Sequence, residues 1–391
     1  MKKLLILIVA LLPLYASAQH NPEVLRSPVA QPATRPDIVL PVVNGFNIYK
    51  ADLHTHSIYS DGDLTPALRV REAFYDGLDA IAITEHIEYR RIEPKMLKFL
   101  KGYTGGKALK AENNDVIREQ GTERGILADL NYPVAEAVKE SKKWGVLVIP
   151  GAEITREPVK IGHFNALFTK DNNAIYDPDA LQSIRNARKQ GALIQHNHPG
   201  WRRTSNAKTE FEKQAYSEGL IDGVEVANGG SLYPNIIDRA REENLFVASN
   251  TDIHITTAEY YQSKGHLRNM TLIFAKECTL KGLREGLEAK RTLAYAGGYL
   301  MGGEQLLKDL FLASIKWEVI GTEKKGARKV LVTNCYSLPF EYKTSKNAYP
   351  IVLAPGQSVL HTVAKDKDLN LTVTSMLCGD GANPKVKLVV K

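Results

Sequence analysis

Seven of the ten histidines in this chain of 391 residues lie in an ordered series of motifs that also carry aspartate, glutamate and glycine. The polar members of the series, in chain order, are His54, His56, Asp61, His86, Glu153, His163, His196, His198, Asp252 and His254. Imidazole and carboxylate groups are the ligands that Zn²⁺, Mn²⁺ and iron ions prefer in proteins. The chain must therefore fold so that distant segments meet at one site, and the sequence predicts a metalloenzyme.

Most of these motifs follow directly after a short apolar run. The pairs of run and motif are residues 80–83 with Glu85 and His86, residues 146–149 with Glu153, residues 192–194 with His196 and His198, and residues 245–248 with Asp252 and His254. Such runs are typical of buried strands. In a closed (β/α) barrel, the residues at the carboxyl ends of the strands meet at one face and build the active site.

Helical stretches alternate with the apolar runs. They are predicted at residues 66–77, 133–144, 178–190, 234–243 and 279–289, and two further strands are predicted at residues 271–274 and 292–295. Thr65 is a suitable N-cap for the first helix, and Pro66 occupies its first position. Repeated β-then-α units predict a parallel sheet with crossover helices. About seven units in roughly 250 residues favour a closed barrel over an open sheet.

The pattern changes after Gly303. A short helix is predicted at residues 304–312, followed by apolar runs at residues 330–333, 349–353, 359–363, 369–373 and 386–390. Short runs at this spacing, separated by turn residues, predict a small β-sandwich.

Residues 91–130 are polar and glycine-containing, and they form either a lid over the site or an ordinary surface excursion.

The first eighteen residues have the pattern of a signal peptide. Lys2 and Lys3 precede an apolar run over residues 4–12, and Ala16 and Ala18 flank Ser17 as a small-residue cleavage site. The run is shorter than the roughly 20 residues of a membrane span, and an uncleaved anchor is the alternative. Prolines recur through residues 19–45, which predicts an extended tether. We therefore expect a periplasmic or secreted protein.

Charge and cysteine content exclude some classes of protein. The formal net charge of +7 falls to +5 without Lys2 and Lys3, and dense basic clusters with interleaved aromatic residues are missing, so nucleic acid is not the expected partner. Three cysteines, Cys278, Cys335 and Cys378, cannot build a disulfide framework. Cys335 and Cys378 either pair in an oxidising compartment or remain free thiols.

The ordered motif set resembles the polymerase and histidinol phosphatase (PHP) family of metal-dependent phosphoesterases. The resemblance covers about residues 49–300, and its most specific parts are the opening segment at residues 54–62 and the closing pair Asp252 and His254. It implies a distorted (β/α)7 TIM-like barrel that holds two or three divalent ions of zinc, manganese or iron. On this basis residues 46–303 are assigned to the barrel and residues 304–391 to a small β-sandwich domain.

The resemblance also implies a set of ligands for each ion. The first ion is assigned to His54, His56, Glu153 and Asp252, the second to Asp61, His86 and His254, and the third to His163 and His198 with Glu153 as a bridge. From the residues alone, either His196 or His198 fits. The family places the ligand immediately before Pro-Gly, which favours His198. Glu85 stands where an aspartate is more usual and is expected to be an outer partner or a substrate contact.

The expected chemistry is hydrolysis of a small phosphorylated compound by a metal-activated hydroxide, with no further catalytic side chain assigned. Arg90, Arg202 and Arg203 are the candidate substrate contacts, because guanidinium groups suit phosphate oxygens; ordinary surface arginines are the alternative. Two other functions remain open. One is metal-dependent hydrolysis of a non-phosphate bond such as a carbamate ester, and the other is an inactive binding protein.

Overall fold

The computed structural model describes residues 35–88, 116–119, 122–125, 129–156, 161–261, 267–345 and 349–391. Residues Arg35–Lys391 form one compact unit. The predicted signal peptide, residues 19–34 of the predicted tether and Arg90 lie outside the described residues. Among the residues described, no helix has the length and apolar character needed to cross a membrane.

The six helices predicted from the sequence are present, and each boundary agrees within two residues. The α-helices are α1 (Pro66–Tyr75), α2 (Tyr132–Trp144), α3 (Ala180–Lys189), α4 (Glu210–Ser217), α5 (Pro234–Glu242), α6 (Thr257–Tyr260), α7 (Leu280–Glu288) and α8 (Glu304–Ser314). Thr65 caps α1 as predicted, since its hydroxyl accepts a hydrogen bond from Leu68 N at 3.2 Å. Sequence reasoning missed α4 and α6, although Thr209 and Glu212 form a capping box at the start of α4.

The strands fall into one large sheet and several small ones. Up to residue 302 they are β1 (Asn47–Asp52), β2 (Ala80–Ile83), β3 (Val116–Glu119), β4 (Thr122–Gly125), β5 (Leu147–Arg156), β6 (Gly162–Leu167), β7 (Leu193–His196), β8 (Gly223–Asn228), β9 (Ser231–Leu232), β10 (Phe246–Asn250), β11 (Met270–Ala275), β12 (Thr292–Ala296) and β13 (Tyr299–Gly302). The C-terminal strands are β14 (Ile315–Thr322), β15 (Arg328–Asn334), β16 (Phe340–Thr344), β17 (Ile351–Leu353), β18 (Ser358–Val363), β19 (Leu369–Val373), β20 (Met376–Leu377) and β21 (Lys385–Leu388).

The large sheet curls into a distorted barrel, which confirms the predicted fold class. Its strand order is β10-β8-β7-β6-β5-β2-β1-β11-β12-β13-β20. The edge strand β10 lies next to β11 and β12 without pairing with either through its backbone. Instead, Ser249 N donates to Thr271 Oγ1 at 3.0 Å, and Val247 N donates to Thr292 Oγ1 at 3.1 Å. The barrel is therefore closed at this point by side-chain hydrogen bonds in place of a backbone ladder.

The predicted parallel pairing is present between β1 and β2, β2 and β5, β7 and β8, and β8 and β10, but the sheet as a whole is mixed. β6 runs antiparallel to β5 and β7, and β11 runs antiparallel to β1 and β12. Only residues 157–161 join β5 to β6, which is too short for the crossover that a parallel pair requires. β5 is also longer than predicted, so Glu153 lies inside this strand and not after it.

The C-terminal strands form two small antiparallel sheets, ordered β14-β15-β18 and β17-β16-β19-β21. Both contribute to one apolar cluster that also includes residues of the barrel sheet, such as Leu272 and Leu293. β20 pairs in parallel with β13 and so extends the barrel sheet. The boundary after Gly303 remains a proposal. The three cysteines are free thiols in the structure.

Candidate metal centre

The nine residues predicted as metal ligands lie together at the carboxyl-terminal face of the parallel strands. They come from the segments after β1, β2, β7 and β10, from within β5, and from the start of β6. His163 reaches the same face because β6 runs in the opposite direction to its neighbours. The antiparallel strand that sequence reasoning missed thus explains why a ligand at a strand start joins ligands at strand ends.

Four overlapping groups of these residues have ligand atoms within 4.8 Å of one another. The groups are His56 with Asp61, His86 and His254; His54 with His56 and Glu153; His54 with His198 and Asp252; and Glu153 with His163 and His198. Groups that share members in this way are typical of a centre in which neighbouring ions are bridged.

Glu153 is the most connected member of the centre. Its carboxylate oxygens lie 2.6 Å from His86 Nδ1, 3.4 Å from His54 Nε2 and 3.5 Å from His163 Nδ1. The side chain is almost fully buried, and Asn197 Nδ2 donates a hydrogen bond to Oε1 at 2.9 Å. A carboxylate held between several imidazoles suits a bridge that offsets repulsion between adjacent cations.

Two further carboxylates complete the centre on either side of His56. Asp252 Oδ1 lies 3.1 Å from His56 Nε2 and 3.3 Å from His54 Nε2. Asp61 Oδ1 lies 3.3 Å from His86 Nε2 and 3.1 Å from His254 Nε2. His56 stacks against each imidazole of the second pair, with ring centroids 4.2 Å from His86 and 4.5 Å from His254.

The donor set fits divalent cations. Within the described part of the chain, His163 Nε2 is a buried atom without a hydrogen-bond partner, an arrangement that costs free energy unless another group satisfies it. His54 Nε2 and His56 Nε2 face each other at 3.0 Å beside Glu153 and Asp252. A bound cation would satisfy these lone pairs together.

Burial and neighbouring charges together shift the pKa values of the histidines and carboxyl groups in the centre. Burial disfavours the protonated form of His54, but the carboxylates of Asp252, Glu153 and Glu225 outweigh it and raise the pKa of His54. Burial and the nearby His86 and His254 lower the pKa of His56 to about 3. The surrounding histidines hold the pKa of the Glu153 and Asp252 carboxyls well below the usual range, despite burial.

The structure separates the two histidines that the sequence left open. His198 Nε2 lies 3.7 Å from Glu153 Oε1 and 3.8 Å from Asp252 Oδ2. His196 is fully buried beside Phe164, and its ring nitrogens contact Tyr216 Oη at 2.9 Å and Glu212 Oε1 at 3.0 Å. This geometry favours His198 as the ligand, in agreement with the expectation from the resemblance.

Two candidate ligands have unusual backbone conformations. His198 has φ +26° and Asp252 has φ +51°, values that non-glycine residues adopt rarely. Such strained residues persist where the surrounding structure holds them, and they concentrate at functional sites.

Arg69 is a buried residue beside the centre that sequence reasoning missed. It projects from α1, is almost fully buried, and donates hydrogen bonds of 2.7 Å to the carbonyl oxygens of His56, His254 and Ile255. One guanidinium thus holds the two ligand-bearing segments that follow β1 and β10. An arginine within the apolar face of α1 was the available signal.

Glu85 and Glu225 are two further buried carboxylates of the site. Glu85 accepts hydrogen bonds from Ser57 N at 3.1 Å and from the hydroxyls of Ser57 and Ser60, which fixes the turn after His56. Glu85 is therefore a supporting residue of the centre, one of the two roles expected for it. Glu225 was missed because it interrupts the apolar run of β8.

The predicted arginines differ in position. Arg203 lines a small pocket with His163, His198 and Trp201, and its guanidinium contacts the buried carboxylate of Glu212 at 2.6 Å. Arg202 is exposed and lies over the ring of Trp201, 4.3 Å from its centroid. Arg203 is thus held next to two candidate ligands.

Comparison with known proteins agrees with this geometry. The model of the PHP domain matches residues 52–285. The fold is similar to the crystal structure of a two-domain protein of Bacteroides vulgatus, described as containing a predicted PHP-like metal-dependent phosphoesterase, with a TM-score of 0.77 and 31% sequence identity over 91% of this chain and 98% of that one. An uncharacterised protein of Methanocaldococcus jannaschii is 32% identical over 110 residues, which are 28% of this chain and 48% of that relative. The chain thus spans about half the length of this curated relative. The matched domain and the structural relative place the chain in the PHP family.

Proposed function

We propose that this protein is an exported metal-dependent phosphoesterase that hydrolyses a phosphate monoester or diester of a small molecule. The observation that carries the proposal is the convergence of nine candidate ligands into four overlapping groups at one face of the barrel. The overlap suits two to three divalent ions of zinc, manganese or iron. Each of the nine residues is proposed as a ligand, with the ions shared among them as the four groups allow.

Ions held there would supply a hydroxide nucleophile near neutral pH and neutralise charge on the phosphoryl group. The protein's own residues would orient the substrate. Arg203, held by Glu212 beside His163 and His198, donates to a phosphoryl oxygen. Arg202 is a second proposed contact at the rim, and Arg90, outside the described residues, is a third.

Hydrolysis of a non-phosphate bond such as a carbamate ester is the alternative, since a carbonyl oxygen can be polarised by the same ions. Arg203 favours the phosphoesterase, because a fixed guanidinium at the edge of the ligand cluster suits an anionic substrate better than a neutral ester. An inactive binding protein is disfavoured by the complete set of ligands.

The test is a substrate screen on protein reconstituted with zinc, manganese or iron. Elemental analysis should give two to three ions per chain, and turnover of at least one phosphate ester should disappear on chelation and return on addition of metal. Fewer than one ion per chain would contradict the metal centre. Turnover of carbamate esters without any phosphate ester would select the alternative chemistry.

The proposed export is tested separately from the proposed hydrolysis. If residues 1–18 are a signal peptide, mass spectrometry of the protein recovered from the periplasm or medium should show a mature N-terminus near Gln19. A protein that keeps Met1 and stays in the cytoplasm would contradict export while leaving the proposed chemistry intact.

A further inference from the structure

Glu225 lies in the middle of β8, between Val224 and Val226, and none of the three residues is exposed to solvent. Successive side chains of a strand point to opposite faces. The two valines pack in the apolar cluster with residues of α3 and α5, such as Ile184 and Ile236, whereas Glu225 points into the barrel. A carboxylate buried there must be satisfied by hydrogen-bond donors.

Both oxygens of Glu225 have such donors. Oε1 lies 2.9 Å from His54 Nδ1 and accepts from Asn250 Nδ2 at 2.9 Å. Oε2 accepts from the backbone N of His198 at 2.6 Å and from Asn228 Nδ2 at 2.8 Å. Three of these partners, the two amide Nδ2 groups and the backbone N of His198, can only donate, so the carboxylate oxygens act as acceptors and His54 Nδ1 is the fourth donor.

The contact with His54 selects one form of its imidazole. Because Nδ1 must donate to Glu225, the neutral ring has its lone pair on Nε2. Nε2 is the atom that lies 3.3 Å from Asp252 Oδ1 and 3.4 Å from Glu153 Oε1. Glu225 therefore directs the coordinating nitrogen of His54 towards the centre.

The contact with His198 holds its backbone. His198 has a φ of +26°, a conformation that costs free energy unless neighbouring groups stabilise it. The short hydrogen bond from His198 N to Glu225 supplies such an interaction. His54 and His198 belong to the same ligand group, together with Asp252, so one carboxylate supports two members of one group.

We propose that Glu225 is a positioning residue that sets both the tautomer of His54 and the backbone of His198, and thereby the affinity and geometry of the ion that these residues hold with Asp252. This inference rests on the proposed metal centre, and it does not depend on which ester is the substrate.

The first test is the substitution Glu225→Gln. A carboxamide has one accepting oxygen and one donating NH₂ group, so in either orientation the NH₂ group faces His54 Nδ1 or the N–H of His198. We expect the affinity for one ion, measured by competition with a chelator, to fall about 10- to 100-fold. The absorption spectrum of the Co²⁺-loaded variant should also change, because a ligand of that ion is displaced.

Glu212→Gln is the matched control. Glu212 is equally buried and lies 3.0 Å from a histidine ring nitrogen, but that histidine is His196, which belongs to none of the ligand groups found in the described residues. Its metal affinity and Co²⁺ spectrum should match those of the wild type; turnover is not compared, because Glu212 also holds Arg203. Thermal unfolding of the metal-free proteins checks that both variants fold.

A second measurement needs no variant. In the zinc-loaded wild type labelled with ¹⁵N-histidine, long-range ¹H–¹⁵N correlation should show His54 bound to zinc through Nε2 with a proton on Nδ1. Coordination through Nδ1 would overturn the inference, as would a folded Glu225→Gln protein with wild-type affinity and spectrum. A wild type that binds its ions but hydrolyses no phosphate ester would overturn the proposed function and leave the role of Glu225 intact.

Discussion

The interior of the barrel and the interior of the C-terminal sheets bury different kinds of side chain. Inside the barrel, fully buried polar residues hydrogen-bond to one another and to the ligand segments; they include Asn165, Gln195, Glu225, Asn250 and Thr271. The C-terminal sheets bury mainly aliphatic and aromatic residues, such as Val332, Phe340, Leu371 and Val373. Burial of apolar surface stabilises a fold directly, whereas buried polar groups only offset their own desolvation.

This difference predicts a division of roles. The hydrogen-bonded interior of the barrel fixes where ligands lie, and the apolar C-terminal interior contributes free energy of folding. Substitutions inside the barrel should therefore change metal binding more than stability, and substitutions inside the C-terminal sheets should do the reverse.

The largest effect is expected for Glu153→Ala. The variant removes the carboxylate that five histidines share, so at least two ligand groups lose a member. The kcat/KM for the best phosphate ester should fall by about a thousandfold, together with metal content. Glu341→Ala is the control in β16, where the carboxylate accepts only from Thr374 Oγ1 among its side-chain partners in the described residues. Equal losses in the two variants would refute the division.

The second largest effect is expected on the free energy of unfolding, for a substitution inside the C-terminal sheets. Phe340 is 1% exposed, and its ring lies 5.1 Å from that of Phe311 at an interplanar angle of 83°. Phe340→Ala should lower the free energy of unfolding by about 3–5 kcal/mol through lost burial and the remaining cavity. Chemical denaturation measures the loss, and Phe340→Leu should lose less. If the folded Phe340→Ala protein bound its ions more weakly, the C-terminal interior would also organise the centre.

A smaller difference in metal content and activity is expected between variants of His198 and His196, which lie two positions apart in the barrel. His198→Ala should lose one ion and lower kcat/KM by at least about a hundredfold, because its ring faces Glu153 and Asp252. His196→Ala should keep its metal content and measurable turnover, since His196 contacts Tyr216 and Glu212. Elemental analysis and steady-state kinetics measure both quantities in each variant. Loss of an ion from His196→Ala and not from His198→Ala would show that His196 is the ligand.

The smallest effect is expected for His361→Gln in β18. Burial lowers the pKa of His361, whose Nε2 contacts Tyr342 Oη at 2.8 Å. The unfolded chain therefore binds a proton more readily, and stability that is complete above about pH 6.5 declines as the pH falls below it. The variant should show a shallower decline in unfolding free energy between pH 6.5 and 5, with unchanged metal content. A steeper decline would mean that the folded state favours the protonated imidazole.

Local sequence features predicted much of the fold. A threonine cap and a proline marked the start of α1, a proline marked the start of α5, and short apolar runs marked β2, β7 and β10. β6 was harder to place, because its reversed direction follows from the short connection to β5 and not from its composition. β8 was missed because Glu225 interrupts its apolar pattern, and the same residue contacts His54 Nδ1 and the backbone N of His198.

The candidate ligands were predictable because each lies close in sequence to a strand, and strand termini meet at one face of a barrel. The residues that support them were not predictable in this way. Arg69 reaches the carbonyl oxygens of His56 and His254 from a helix, and Glu225 joins His54 to His198 across the barrel. Such contacts join residues that are far apart in sequence.

The amino-acid sequence alone indicated a metal site, because imidazole and carboxylate side chains in ordered motifs are typical metal ligands. It also determined most helices through local capping and periodicity. The three-dimensional fold was needed to show which of His196 and His198 faces the centre, how His163 joins it from a reversed strand, and which buried groups contact the ligands. The physical reason is that coordination and hydrogen bonding depend on ångström-scale distances and directions, which chain order does not encode locally.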